Sequence, residues 1–189
     1  MAETRKKITS RLLIFFIGIP IVSLLVLLGT YKNHLPVSLA LLFINMLAIL
    51  EMHTILAKKF VVPSIIETLI VSNIILISII LNVSFNVTVN LFYFSLLLIF
   101  IYFLIRGIFN FNIISDYIVI TSSAFLLLVY PTFFSLWIIK ILTLKYAAPL
   151  VLVFLLSVFA NDSLAWLLGM LFGKNNRGLI AVSPNKSLA

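Results

Sequence analysis

Long, predominantly apolar blocks, separated by short polar turns, organise this chain. They run from about Leu12 to Leu28, Val37 to Leu56, Ile65 to Leu81, Leu91 to Ile105, Ile113 to Tyr130 and Ala147 to Ala160. Strands of a membrane β-barrel alternate apolar and polar residues over about ten positions. Blocks such as Leu12–Leu28 and Leu91–Ile105 are apolar on every side, so the pattern predicts helices. A helix rising about 1.5 Å per residue needs about 20 residues to cross a hydrocarbon layer of about 30 Å. The predicted fold is therefore all-α, a polytopic membrane helix bundle of about six transmembrane helices in a single integral membrane domain over residues 1–189.

Between the fifth and last blocks, Thr132–Leu144 is short for a crossing and contains Lys140, with Lys145 just beyond it. It is expected to be interfacial or re-entrant, with the fifth helix ending at Pro131. Composition agrees with the blocks. At 63% hydrophobic and 10% charged residues, with a mean hydropathy of +1.30, the chain cannot close a core and keep a wettable surface. It contains no cysteine, which excludes disulfides and thiolate metal ligands.

The net charge of +8 is spread over the ends of the apolar blocks rather than massed on one solvated face, which argues against a nucleic-acid partner. The cations are better read as topology signals. An amino terminus in the cytoplasm puts Lys58, Lys59, Arg106, Lys174, Arg177 and Lys186 on the same side, as the positive-inside tendency asks. Asp162 falls on that side too. A separate crossing by Thr132–Leu144 would move the carboxy-terminal cations outside. Arg5, Lys6, Lys7 and Arg11 precede the first block as in a signal peptide, yet that block ends in Gly29-Thr30-Tyr31-Lys32 with no small-residue cleavage site. The expected location is the inner, cytoplasmic membrane, crossed several times.

Carboxylates in apolar spans need a partner or solvent. Glu51 has two readings: it reaches the nearby helix end or a cation such as Lys58, or it faces a polar cavity shared with the carboxy-terminal residues. Glu67, near Pro63, and Asp116 read as residues of helix starts, where a negative charge suits the helix dipole. Glu51 and His53 point to different faces of a helix, so they are not a metal pair. Asn82-Val83-Ser84 and Asn86-Val87-Thr88 match the glycosylation acceptor pattern, which polar loops also produce by chance.

The stretch that carries chemistry starts at Asp162. Ala165, Trp166, Gly169, Phe172 and Gly173 follow at spacings of three and four, and Gly169 with Gly173 forms a small-x-x-x-small pair that also suits plain helix packing. Lys174, Arg177 and Lys186, with the hydroxyl of Ser183 beside Pro184, make a rim suited to lipid headgroups. Joined to a cytoplasmic Asp162, the same groups suit a triphosphate and its magnesium, which takes carboxylate and phosphate oxygens.

These residues resemble the phosphatidate cytidylyltransferases. Asp162, Ala165, Trp166, Gly169, Phe172, Gly173 and Lys174 correspond to that family's acid, alanine-aromatic and Gly-x-x-Phe-Gly-Lys/Arg element. Ser183, Pro184, Asn185, Lys186 and Ser187 correspond to its Ser-Pro-Lys-Lys-Thr element, with asparagine and serine substituted and Ala189 where a glutamate would stand. The resemblance implies transfer of a cytidylyl group from CTP to phosphatidic acid, giving CDP-diacylglycerol and pyrophosphate with Mg2+, in a protein that forms homodimers. It implies Asp162 as catalytic magnesium ligand, Lys174, Arg177 and Lys186 as phosphate contacts, and Ser183 as a hydrogen-bond donor to substrate.

Members of that family continue into a further membrane region with a Lys-Arg pair, a Lys-Asp pair and an Asp-Arg-x-Asp segment, so the domain is expected to be incomplete at its carboxy terminus. Two metals need more acids than Asp162, and Glu51 is the other candidate. The alternative is a catalytically incomplete membrane fragment, or a subunit that needs a separate carboxy-terminal polypeptide. A small transporter fits less well, since no early span carries paired ionisable residues.

Overall fold

The computed structural model describes residues 14–110 and 114–172. A π-helical turn, Ile14–Gly18, leads into α1, Ile19–Leu28. Then come α2, Tyr31–Leu56; α3, Ile65–Phe85; α4, Leu91–Asn110; α5, Ile114–Leu128; α6, Phe134–Ile141; and α7, Ala147–Phe172. No strand occurs among the described residues. Among the described residues, four stretches are long and apolar enough to cross a membrane: Tyr31–Leu56, Ile65–Phe85, Tyr117–Ile141 and Ala147–Ala165. The described parts of α1 with the turn before it, Phe16–Leu28, and of α4, Leu91–Arg106, are apolar too.

The span Tyr117–Ile141 corrects the expected break at Pro131. A π-turn, Val129–Phe133, joins α5 to α6, so Thr132–Leu144 is no re-entrant segment: its larger part completes the fifth rod. Widening the turn by one residue accommodates a proline ring and its missing N–H without ending the helix. The Pro131 carbonyl stays in use, accepting from the Ser135 hydroxyl at 3.0 Å. Two other prolines fall where an N–H has no helical acceptor. Pro36 is in the first turn of regular α2, and Pro149 is in the first turn of α7.

Contacts divide the chain into two units, residues Met1–Leu24 with Ala148–Ala189, and residues Leu25–Ala147. In the first, the described parts are the π-turn, the start of α1 and nearly all of α7. The second contains α2 to α6, packed around Ile75, Leu76, Ile79, Ile80, Ile99, Leu128, Leu136 and Ile139.

Polarity in this second unit is distributed as lipid demands. Large apolar side chains face outward, Phe43 and Phe100 each at 62% exposure, while Ser38, Asn45, Ser72, Asn73, Ser78, Ser95 and Thr132 are buried. Lipid tails offer no hydrophobic drive for helix association, so small and polar side chains make the contacts. The Asn45 amide donates to Asn73 Oδ1 at 3.4 Å between α2 and α3, and the hydroxyls of Ser78 and Ser95 meet at 3.0 Å between α3 and α4.

Before Leu35 the backbone of α2 turns the other way. Lys32, Asn33 and His34 have φ of 44°, 52° and 61°, and three left-handed residues in a row cost about 1–2 kcal/mol each. Anchors hold them there: Asn33 Nδ2 donates to the Val83 carbonyl at 2.7 Å, and the Lys32 ammonium lies 4.6 Å from the centre of the Phe85 ring. Asparagine tolerates this backbone region better than alanine. Asn33→Ala removes both that tolerance and the hydrogen bond, with an expected loss of about 1–2 kcal/mol. Denaturant unfolding in detergent micelles checks it; an unchanged midpoint would show that the anchor contributes nothing.

The ends of this unit bear on orientation. Lys58, Lys59 and Arg106 lie at the end where α2 stops and α3 starts. At the opposite end are Lys32 and Lys140, the latter 5.3 Å from the Phe92 ring, and Lys145 follows α6. With three described cations at each end, charge balance in this unit favours neither orientation. The other cations behind the expectation of a cytoplasmic amino terminus, Lys174, Arg177 and Lys186, lie outside the described residues.

Candidate functional site

Helix α7 runs without interruption from Ala147 to Phe172, so Asp162 lies inside a helix and not at the head of a short separate one. The sequence Asn161-Asp162-Ser163 is only mildly unfavourable to helix, and the apolar run after it carries the helix on. Asp162 is exposed and lies within a helix whose stretch Ala147–Ala165 is long and apolar enough to cross a membrane. Ala165 follows three residues later on the same helix. Lys174, Arg177, Ser183 and Lys186 lie outside the described residues, as do Gly173 and Pro184.

Glu51 belongs to the other unit, on α2, where its side chain is exposed and makes no ion pair with a described residue. No group of three or more His, Cys, Asp or Glu that could hold a metal occurs among the described residues. His53 has a structural use: Nε2 donates to the Pro63 carbonyl at 2.8 Å, closing the turn between α2 and α3. The amide of Asn82 is likewise committed, donating to the carbonyls of Val87 and Val89 at 3.0 and 2.6 Å.

The main polar constellation of the second unit is one that sequence reasoning located only in part. Glu67 is a helix-start residue, as expected: Ser64 caps α3, its hydroxyl accepting from the Glu67 N–H at 3.2 Å. The carboxylate then turns towards α4. Oε1 lies 2.8 Å from Arg106 Nη1 and accepts from the Tyr102 hydroxyl at 2.7 Å. Tyr102 and Arg106 are one turn apart on α4, so one carboxylate oxygen serves both. The side chains of Arg106 and Glu67 are only 15% and 18% exposed. A small cavity of about 10 Å3, lined by Glu67, Thr68 and Ser72 among others, lies beside them, about the size of one water. The available sequence signal was Ser64-Ile65-Ile66-Glu67, the capping spacing. It marks the start of α3 and does not reveal the partners on α4.

The exposed apolar exterior and the buried hydroxyls are compatible with a membrane protein. Compared with known families, residues 9–189 match the model of the cytidylyltransferase family. No curated protein and no solved structure matches the chain.

Proposed function

The chain belongs to the cytidylyltransferase family, and from that premise we propose that its acceptor is phosphatidic acid, converted with CTP into CDP-diacylglycerol and pyrophosphate. The observation that carries the proposal is the family match over residues 9–189 in a chain whose described residues include four helices long and apolar enough to cross a membrane. A nucleotidyltransferase built this way suits an acceptor that stays in the bilayer while CTP arrives from water.

In the reaction, a phosphate oxygen of the lipid attacks the α-phosphorus of CTP. A new phosphorus–oxygen bond joins lipid to CMP, and the bond to the β-phosphate breaks, releasing pyrophosphate. The nucleophile is already an anion, so no general base is needed. The protein's contribution is to align the two phosphates and compensate their charge.

Asp162 fits a magnesium ion in donor chemistry: that ion is held by one or two carboxylates with substrate phosphates and waters, rather than by a cage of protein ligands. Magnesium, when bound, neutralises charge on the triphosphate. Asp162 would hold it at the membrane rim, Lys174, Arg177 and Lys186 would contact phosphate oxygens, and Ser183 would donate a hydrogen bond to substrate. The positive-inside tendency supports a cytoplasmic site.

The test is incorporation of labelled CTP into chloroform-soluble lipid by the purified chain, with and without phosphatidic acid and magnesium. Incorporation dependent on both is the expected result. A folded preparation that incorporates no label would overturn activity of this chain alone and point to a subunit that requires a separate polypeptide.

A further inference from the structure

The cavity of about 10 Å3 beside the Glu67–Arg106 pair has apolar lining residues, Val71, Phe103 and Ala124 among them, and polar ones, Glu67, Thr68 and Ser72. A wholly apolar cavity of that size stays empty, whereas one that offers two to four polar partners holds a single water. The hydrogen bonds of the polar residues therefore decide what the cavity contains.

Ser72 makes the clearest demand. It is 1% exposed, and its hydroxyl has no hydrogen bond with a described residue. A helical serine has a ready acceptor in the carbonyl three or four residues back, and Ser78, Ser95, Ser123, Ser135 and Ser157 all use it. Ser72 does not, and a buried hydroxyl left without a partner bears its full desolvation cost. Ser38 and Ser84 are also buried without a partner, but neither lines this cavity.

Glu67 and Thr68 supply the complementary acceptors. The contacts of Glu67 with Tyr102 and Arg106 both fall on Oε1, and a carboxylate has about four acceptor positions over its two oxygens. The Thr68 hydroxyl donates its proton to the Ser64 carbonyl at 3.0 Å and keeps its lone pairs. Thr68 and Ser72 are one turn apart on α3 and share a face. A water among them can accept from Ser72 and donate to Glu67 and Thr68, three bonds in all, the usual number for a buried water. A metal cation has no such claim, since the Arg106 guanidinium at 2.8 Å already balances the carboxylate.

We propose that this cavity binds one water molecule, which accepts a hydrogen bond from Ser72 Oγ and donates one to the Glu67 carboxylate. The water links the ion pair with α4 to a hydroxyl more than one turn further along α3. The site is formed by residues of the second unit alone, and its test does not depend on cytidylyl transfer.

The sign of one substitution tests it. In a dry cavity, Ser72→Ala removes a buried hydroxyl that has no partner, and the chain becomes more stable. With the water bound, the same change removes one of its hydrogen bonds, and the unfolding equilibrium constant of the full chain in detergent micelles is expected to rise about fivefold. A crystal structure of the full chain that resolves ordered waters supplies the direct observation. One water is expected within about 3 Å of both Ser72 Oγ and a Glu67 carboxylate oxygen. Either of two results overturns the proposal: a Ser72→Ala variant as stable as the parent chain or more so, or a cavity without water density and the Ser72 hydroxyl turned onto the Thr68 carbonyl.

Discussion

Arg106→Gln is expected to lower the unfolding free energy by about 3 kcal/mol, towards the low end of the range for breaking a buried pair. Glu67 would keep its hydrogen bond from Tyr102 at 2.7 Å and lose its cation at 2.8 Å, in a position only 18% exposed. A carboxylate only partly reached by solvent is poorly compensated once the guanidinium is gone. Removing both charges tests the cause. Glu67→Gln with Arg106→Gln leaves no uncompensated charge, so the double variant should regain most of the loss. Denaturant titration of all three variants in the same micelle gives the coupling energy as the departure from additivity. A loss in the double variant equal to the sum of the two single losses would show that the two side chains act independently.

Asp162→Asn is expected to reduce magnesium-dependent cytidylyl transfer by at least about 100-fold, once the purified chain shows such activity. The isosteric amide keeps the helix and removes a negative charge. Charge stabilisation at a metal-assisted step contributes several kcal/mol, and each 1.36 kcal/mol is about a factor of ten in rate. Its side chain is exposed, so a purely structural loss is expected to be small, and unfolding measured on the same variant checks that. A raised magnesium requirement with unchanged stability is the signature of a lost ligand. Unchanged turnover would remove Asp162 from the site.

The spanning helices were legible in the sequence because lipid imposes a simple rule: blocks long and apolar enough to cross become helices. Boundaries were less legible where local chemistry has two solutions. Pro131 ends most helices, yet one widened turn carries α5 into α6. Asn161-Asp162-Ser163 reads as an exit from the membrane, yet α7 continues to Phe172 because these residues resist helix only weakly. At the site, Asp162 could be read from the sequence as an acid directly after an apolar run, and the structure adds that it lies inside α7. The Glu67–Tyr102–Arg106 contacts could not. They join residues 35 and 39 positions apart, and which turn of α4 faces α3 depends on packing that apolar periodicity does not record when every face is apolar.

The buried hydroxyls and amides of α3 also set an order for biogenesis. Its partners emerge from the ribosome at different times. Asn45 precedes Asn73, so that contact is available as soon as α3 enters the membrane. Ser95 comes 17 residues after Ser78, and the partners of Glu67 come later still. Until α4 is synthesised, Glu67 has neither partner, and insertion of α3 must proceed with its most costly side chain uncompensated. A nascent chain halted between α3 and α4 would therefore hold a helix whose polar edge is open to quality-control proteases, and the arrival of α4 closes that window.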